Sequence, residues 1–126
     1  MVTHRLSRIL IVDDDESIRL GLKEMLEEEG FRVDVASDGF EAGLMAIRHE
    51  PRLMILDLKM KGLDGFQTCR LMKHNPFLKE MKILALTGFP SKLNTERILK
   101  LGADDCLAKP IERKALFQHI TSLLNS

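Results

Sequence analysis

Four short apolar runs each stop on a polar residue, and no other feature limits the fold of this chain as tightly. Ile9-Leu10-Ile11-Val12 runs into Asp13-Asp14-Asp15, and Leu53-Met54-Ile55-Leu56 stops at Asp57. Ile83-Leu84-Ala85-Leu86 stops at Thr87, and Cys106-Leu107-Ala108 stops at Lys109-Pro110. Runs of about four to eight residues that are apolar on both faces are what buried parallel strands require. Open parallel sheets bind ligands just beyond the carboxyl ends of their strands. Several carboxylates, one hydroxyl and one ammonium therefore converge on one small crevice, which in outline is a phosphoryl and metal site.

Helical periodicity separates these runs. Glu16 to Glu29 places Ile18, Leu22, Met25 and Leu26 on one stripe, with acidic residues at its start and Gly30 at its end. Phe31 to Ala36 alternates apolar and polar, which predicts an edge strand with one wetter face. Asp38-Gly39 reads as a turn, after which Phe40, Leu44 and Ile47 define a second helix closed by Pro51. A loop with Gly62 and Asp64-Gly65 leads to a third helix, which carries Phe66, Cys69 and Met72 and ends near Asn75-Pro76. Ser91 caps a fourth helix reaching about Leu101, and Gly102 terminates it. Asp105 to Ala108 is the fifth strand, and Glu112 to Leu124 the last helix, with Leu116, Ile120, Leu123 and Leu124 on one face. Five strands alternating with five helices predict a three-layer, doubly wound α/β sandwich with right-handed crossovers and a parallel sheet in order 2-1-3-4-5.

Composition narrows the function. The 126 residues make one domain, 1–126, with a core of about 8–124. With 19 basic and 19 acidic side chains spread evenly, no basic cluster suits direct nucleic-acid or anionic-membrane binding. No apolar run approaches the ~20 residues of a membrane helix. His4, Arg5 and Arg8 precede an apolar run that three aspartates cut short, so the N-terminus does not read as a signal peptide. Cys69 and Cys106 fit neither a metal motif nor a disulfide framework, which suits a reduced cytoplasmic protein.

In the order 2-1-3-4-5 the first and third strands are neighbours, so Asp13 and Asp14 face Asp57 across one strand spacing of about 5 Å. Carboxylates that close raise each other's pKa unless a cation lies among them. Mg²⁺ suits such a site, binding through a few carboxylates while keeping waters that a phosphate can displace. Asp57, at the strand end itself, is placed to attack phosphorus and form an acyl phosphate. Thr87 and Lys109 can bond the equatorial oxygens of a transferring phosphoryl group.

These segments resemble the receiver domains of bacterial two-component response regulators. The likeness rests on Ile11-Val12-Asp13-Asp14-Asp15, Leu56-Asp57-Leu58-Lys59-Met60, Leu63-Asp64-Gly65, Leu86-Thr87-Gly88, Gly102-Ala103-Asp104-Asp105 and Ala108-Lys109-Pro110. It spans about Arg8 to Leu124, and six motifs in order are specific where any one alone is weak. The resemblance implies that Asp57 accepts a phosphoryl group from a phosphohistidine on a sensor histidine kinase or histidine phosphotransfer protein. It implies Mg²⁺ held by Asp13, Asp14, Asp57 and the backbone carbonyl of Lys59. It also implies that Thr87 turns onto the phosphoryl group while Lys109 forms a salt bridge with it. The face made by the fourth helix, fifth strand and fifth helix would then be remodelled, where many receivers dimerise or meet an effector.

The chain departs from the family at several positions. Cys106 stands three before the lysine, where an aromatic residue is usual, and a thiol is too small to switch rotamer with much energetic consequence. Lys61 replaces the usual proline after Met60, which loosens the loop without touching the chemistry. Lys59 and Phe89, with Gly88 between Phe89 and Thr87, stand at positions that in the family flank the approach of water to the acyl phosphate and tune its lifetime. A long lysine and a phenyl ring would hinder water attacking the acyl phosphate, which predicts slow self-dephosphorylation.

Blander readings apply elsewhere. Asp15 reads as a helix cap, Asp64 as part of the turn into the third helix, and Asp104 and Asp105 as solvated loop residues. His4, His49, His74 and His119 read as surface, the methionines as core filler, and Cys106 as an inert thiol on a short buried strand. Two other functions stay in view. One is a receiver-shaped module that binds its partner without phosphorylation, suggested by Cys106. The other is a phosphatase of the haloacid dehalogenase type, which would need an aspartate where Lys59 stands.

Overall fold

The structure, a computed structural model, describes residues 7–59 and 64–126. Its strands are β1 (Arg8–Val12), β2 (Arg32–Ala36), β3 (Leu53–Asp57), β4 (Lys82–Thr87) and β5 (Asp105–Ala108). The helices are α1 (Glu16–Glu28), α2 (Gly39–His49), α3 (Gly65–His74), α4 (Lys92–Lys100) and α5 (Arg113–Leu124), with a short 3-10 turn at Pro76–Leu78. All strand pairs are parallel and the sheet order is β2-β1-β3-β4-β5, as the alternation of periods predicts. Met60, Lys61, Gly62 and Leu63, and with them the missing proline, lie outside the described residues, as do His4 and Arg5.

Every residue of β3 is buried, which is why its sequence shows no alternation. The two faces still sort by the strand period of two. Leu10, Val12, Met54, Leu56, Ile83 and Ala85 pack with Ala42 and Ala46 of α2, Cys69 and Met72 of α3, and Ile98 of α4. Ile9, Ile11, Leu53, Ile55, Leu84 and Leu86 pack with Leu22 and Leu26 of α1 and with Leu116, Ile120, Leu123 and Leu124 of α5. Two cores thus clamp the sheet and hold its carboxyl ends in one register.

Helix ends follow the chain's polar punctuation. Asp15, Asp38, Asp64 and Ser91 each cap a helix by accepting from a backbone N–H of its first turn. Asp64 and Gln67 form a reciprocal capping box on α3. Gly39 is the first residue of α2 rather than part of a separate turn.

Several expectations fail. On α2 the buried residues are Gly39, Ala42 and Ala46, while Phe40, Leu44 and Ile47 face outward. Small residues let this helix lie close to the sheet, and the larger ones are left on its far side. Ile18 is also exposed, so the α1 stripe seals chiefly through Leu22 and Leu26. β5 is a second edge strand and only half-buried, so Cys106 does not lie on a buried strand. Asp104 is not a solvated loop residue: its Oδ2 accepts from Lys73 Nζ (2.7 Å) and from the Ile83 backbone N–H (2.8 Å). Nor is His119 simply surface, because its Nδ1 pairs with Asp105 Oδ2 between α5 and β5.

Candidate functional site

The sheet register brings the polar strand ends together. Val12 pairs with Leu56, and Leu56 with Ala85, so the next step up the sheet sets Asp13 level with Asp57. The ladder runs on past the strand ends. Asp13 N–H donates to the Ala36 carbonyl (3.1 Å), Leu58 N–H to Leu86 (3.0 Å) and Lys109 N–H to Thr87 (2.7 Å). Each functional side chain therefore hangs from a backbone position fixed by its neighbour strand.

Asp13, Asp14 and Asp57 each bring a carboxylate oxygen within 4.8 Å of the other two. Asp13 and Asp57 are buried, and Asp14 sits exposed at the mouth. Asp57 is 4% exposed, and its Oδ1 accepts from Lys109 Nζ at 3.1 Å and from the Lys59 backbone N–H at 3.4 Å. Asp13 Oδ1 accepts from Asp15 N–H (2.9 Å), and Arg19 donates to the Asp13 carbonyl (2.8 Å). Among the described residues Asp13 Oδ2 is buried with no hydrogen bond, and Lys109 Nζ stands 3.7 Å from it. Burial pushes the Asp13 carboxyl above its ordinary 3.8; Asp57 and Asp14 add to the rise, while the Asp15 N–H and Lys109 oppose it. An orphaned carboxylate oxygen inside an all-oxygen cluster fits a hard divalent cation such as Mg²⁺.

Thr87 is buried beside this cluster, and its Oγ1 accepts from the Phe89 N–H at 3.1 Å. Lys59 Nζ lies over the Phe89 ring, 5.0 Å from its centroid. The two positions singled out as tuning residues thus touch across the lip of the site. They border a cleft of about 360 Å³ that also includes Leu58, Phe66, Gly88 and Arg97. Cys106 stands on β5, and burial raises its thiol pKa, with Asp105 adding and a hydrogen bond to Thr95 of α4 opposing.

All the strand-end residues named from the sequence meet here. Arg19 and Gly65 were not foreseen. Arg19 shows no local signal for its reach back to Asp13. A Cβ on Gly65 would stand 2.4 Å from the Asp57 carbonyl oxygen, so only glycine lets α3 start this close to the site. The Leu63-Asp64-Gly65 motif carried that signal, but it read simply as a turn.

Residues 9–121 match the family model of the response regulator receiver domain. The chain belongs to the response regulator receiver family. This receiver is 38% identical over 118 residues to the response regulator PleD of Caulobacter vibrioides, covering 93% of this chain and 26% of PleD. It is also 38% identical over 117 residues to the response regulator MprA of Mycobacterium leprae, covering 93% of this chain and 50% of MprA. The solved receiver domain of a response regulator from Bermanella marisrubri matches it with a TM-score of 0.87 at 35% identity, covering 94% of this chain and 98% of that one. The receiver spans half or less of the length of the curated relatives it matches. It is a signalling domain of two-component systems, a class that works with histidine kinases and effector domains. Among the described residues no helix is long and apolar enough to cross a membrane.

Proposed function

We propose that this receiver accepts a phosphoryl group on Asp57 from the phosphohistidine of a sensor histidine kinase or histidine phosphotransfer protein. The observation that carries the reading is Lys109 Nζ 3.1 Å from Asp57 Oδ1 inside the cluster of three carboxylates. A lone carboxylate cluster is compatible with many roles; an ammonium held on one of its oxygens points to anion transfer. Asp13, Asp14, Asp57 and the Lys59 carbonyl would hold Mg²⁺, which when bound neutralises charge on the acids and the phosphoryl oxygens.

In the transfer, an Asp57 oxygen forms the new P–O bond as the P–N bond to the donor imidazole breaks. The imidazole leaves with the bonding pair. Lys109 then exchanges its contact with the free carboxylate for one with a phosphoryl oxygen. Thr87 carries a hydroxyl proton that it can donate to a second one, and doing so pulls β4 and the start of α4 toward Asp57. The face of α4, β5 and α5 would pass this change to an effector, or to a second receiver, in the cytoplasm. Cys106 makes the coupling at that face weaker than an aromatic ring would. Lys59 and Phe89, in contact over the site, shield the acyl phosphate from water and lengthen its life.

The test is intact mass after incubation with a small phosphodonor and Mg²⁺. Wild type should gain one phosphoryl group and Asp57→Asn none. No adduct on wild type would favour a module that binds without phosphorylation. A transient adduct with continuing release of phosphate from many monoesters would favour a phosphatase.

A further inference from the structure

The outward face of α2 has no counterpart in the receiver chemistry. Phe40, Leu44 and Ile47 are 75%, 74% and 49% exposed and follow one another at spacings of four and three, so they form one stripe. Glu41 and Arg48, both exposed, line one edge of it. The helix packs its other side on β1, β2 and α3, away from the α4–β5–α5 face. An apolar stripe of this size on a soluble domain marks an interaction surface.

The arrangement is reversible about Leu44. Phe40 and Arg48 lie four residues to either side of it, and Glu41 and Ile47 three. A second copy of α2 running antiparallel, with Leu44 against Leu44, therefore brings Arg48 of each copy beside Glu41 of the other along one edge, and Phe40 onto Ile47 along the opposite edge. That places a guanidinium beside a carboxylate twice on one edge and a phenyl ring against an isoleucine twice on the other, while the leucines close the middle. Such an isologous contact is what a twofold homodimer needs. The chain's formal net charge is zero, so no long-range repulsion opposes the approach.

We infer that α2 is a self-association face through which two copies of this receiver pair antiparallel, centred on Leu44 and locked by Glu41 and Arg48. The stripe and its charged edge number five residues a side, Phe40, Glu41, Leu44, Ile47 and Arg48, against the roughly 20–30 of a standard interface. The pair is therefore a weak, concentration-dependent dimer. Because α2 lies apart from the switch face, it forms without phosphorylation.

Sedimentation equilibrium of the whole chain, without phosphodonor, over about 10 µM to 1 mM, spans the range of a sub-standard interface. Wild type should move from monomer to dimer mass across this series. Leu44→Glu should stay monomeric while still accepting a phosphoryl group, which shows that it is folded. Arg48→Glu should weaken the dimer roughly tenfold or more by facing like charges. Glu41→Arg combined with Arg48→Glu should restore it to within about threefold of wild type, since the pairs are re-formed with reversed sign. Wild type that is monomeric throughout, a dimer unmoved by Leu44→Glu, or a double reversal no better than the single one would each overturn the proposal.

Discussion

Asp13 is the residue at which the site strains the fold. Its carboxyl is buried, one oxygen has no hydrogen bond among the described residues, and burial lifts its pKa above 3.8. Folded Asp13 therefore keeps its proton to higher pH than the unfolded chain does. This protonation favours the fold at low pH, and the advantage is lost as pH rises from 3.8 through the raised native value. Asp13→Asn keeps an oxygen for the Asp15 N–H and removes the buried charge. We expect it to raise the Tm of the metal-free protein at neutral pH by a few degrees and to flatten this part of the pH profile, read by thermal melts. Mg²⁺ should stabilise wild type and leave Asp13→Asn nearly unmoved. At the lip, exchanging Lys59→Asn and Phe89→Glu together removes the ring and the ammonium over it. Phosphate should leave the double variant roughly tenfold faster, about 1.4 kcal/mol of barrier, in a time course of the adduct. Equal rates would dismiss the shielding role. Single residues were legible where a strand end marked them, as at Asp57, Thr87 and Lys109. Asp104, Arg19 and His119 were not, because their partners are other elements or backbone groups that no local pattern names.

Among the elements, the strands and most helices were legible because their period and caps agree. β3 and β4 are continuous apolar runs, and Asp15, Asp64 and Ser91 sit at helix starts where their side chains accept backbone N–H bonds. α2 misled because alanine carries little hydrophobic signal: Ala42 and Ala46 make the buried face and the larger residues the exposed one. The edge character of β5 was hidden by its apolar sequence, since a four-residue strand shows too few positions to reveal alternation. The approach of α3 to β3 depends on Gly65. In Gly65→Ala the methyl would press on the backbone of Asp57 and Leu58, so we expect a loss of about 1–3 kcal/mol in urea unfolding. Cys106, half-buried on β5, sits where a large ring would couple strand to helix. Phosphorylated Cys106→Tyr should show larger amide shift changes over α4, β5 and α5 than phosphorylated wild type. Changes of the same size in both would contradict the weak coupling assigned to Cys106.

At the scale of the molecule, two apolar cores hold a parallel sheet rigid, and the chemistry is gathered at one end of it. The order β2-β1-β3-β4-β5 does this gathering, because it makes β1, β3 and β4 neighbours. That order could be argued from alternation and handedness, so the convergence of Asp13, Asp14 and Asp57 was open to sequence reasoning. The outward stripe of α2 was not, since it depends on which side of the helix the sheet takes. That the phosphoryl group lands on Asp57 can be tested chemically. The protein is incubated with phosphodonor and Mg²⁺, the acyl phosphate is reduced with borohydride, and the peptides are mapped by mass. Homoserine is expected in place of aspartate at position 57 and at no other position. Homoserine elsewhere, or an adduct that borohydride leaves intact, would contradict it.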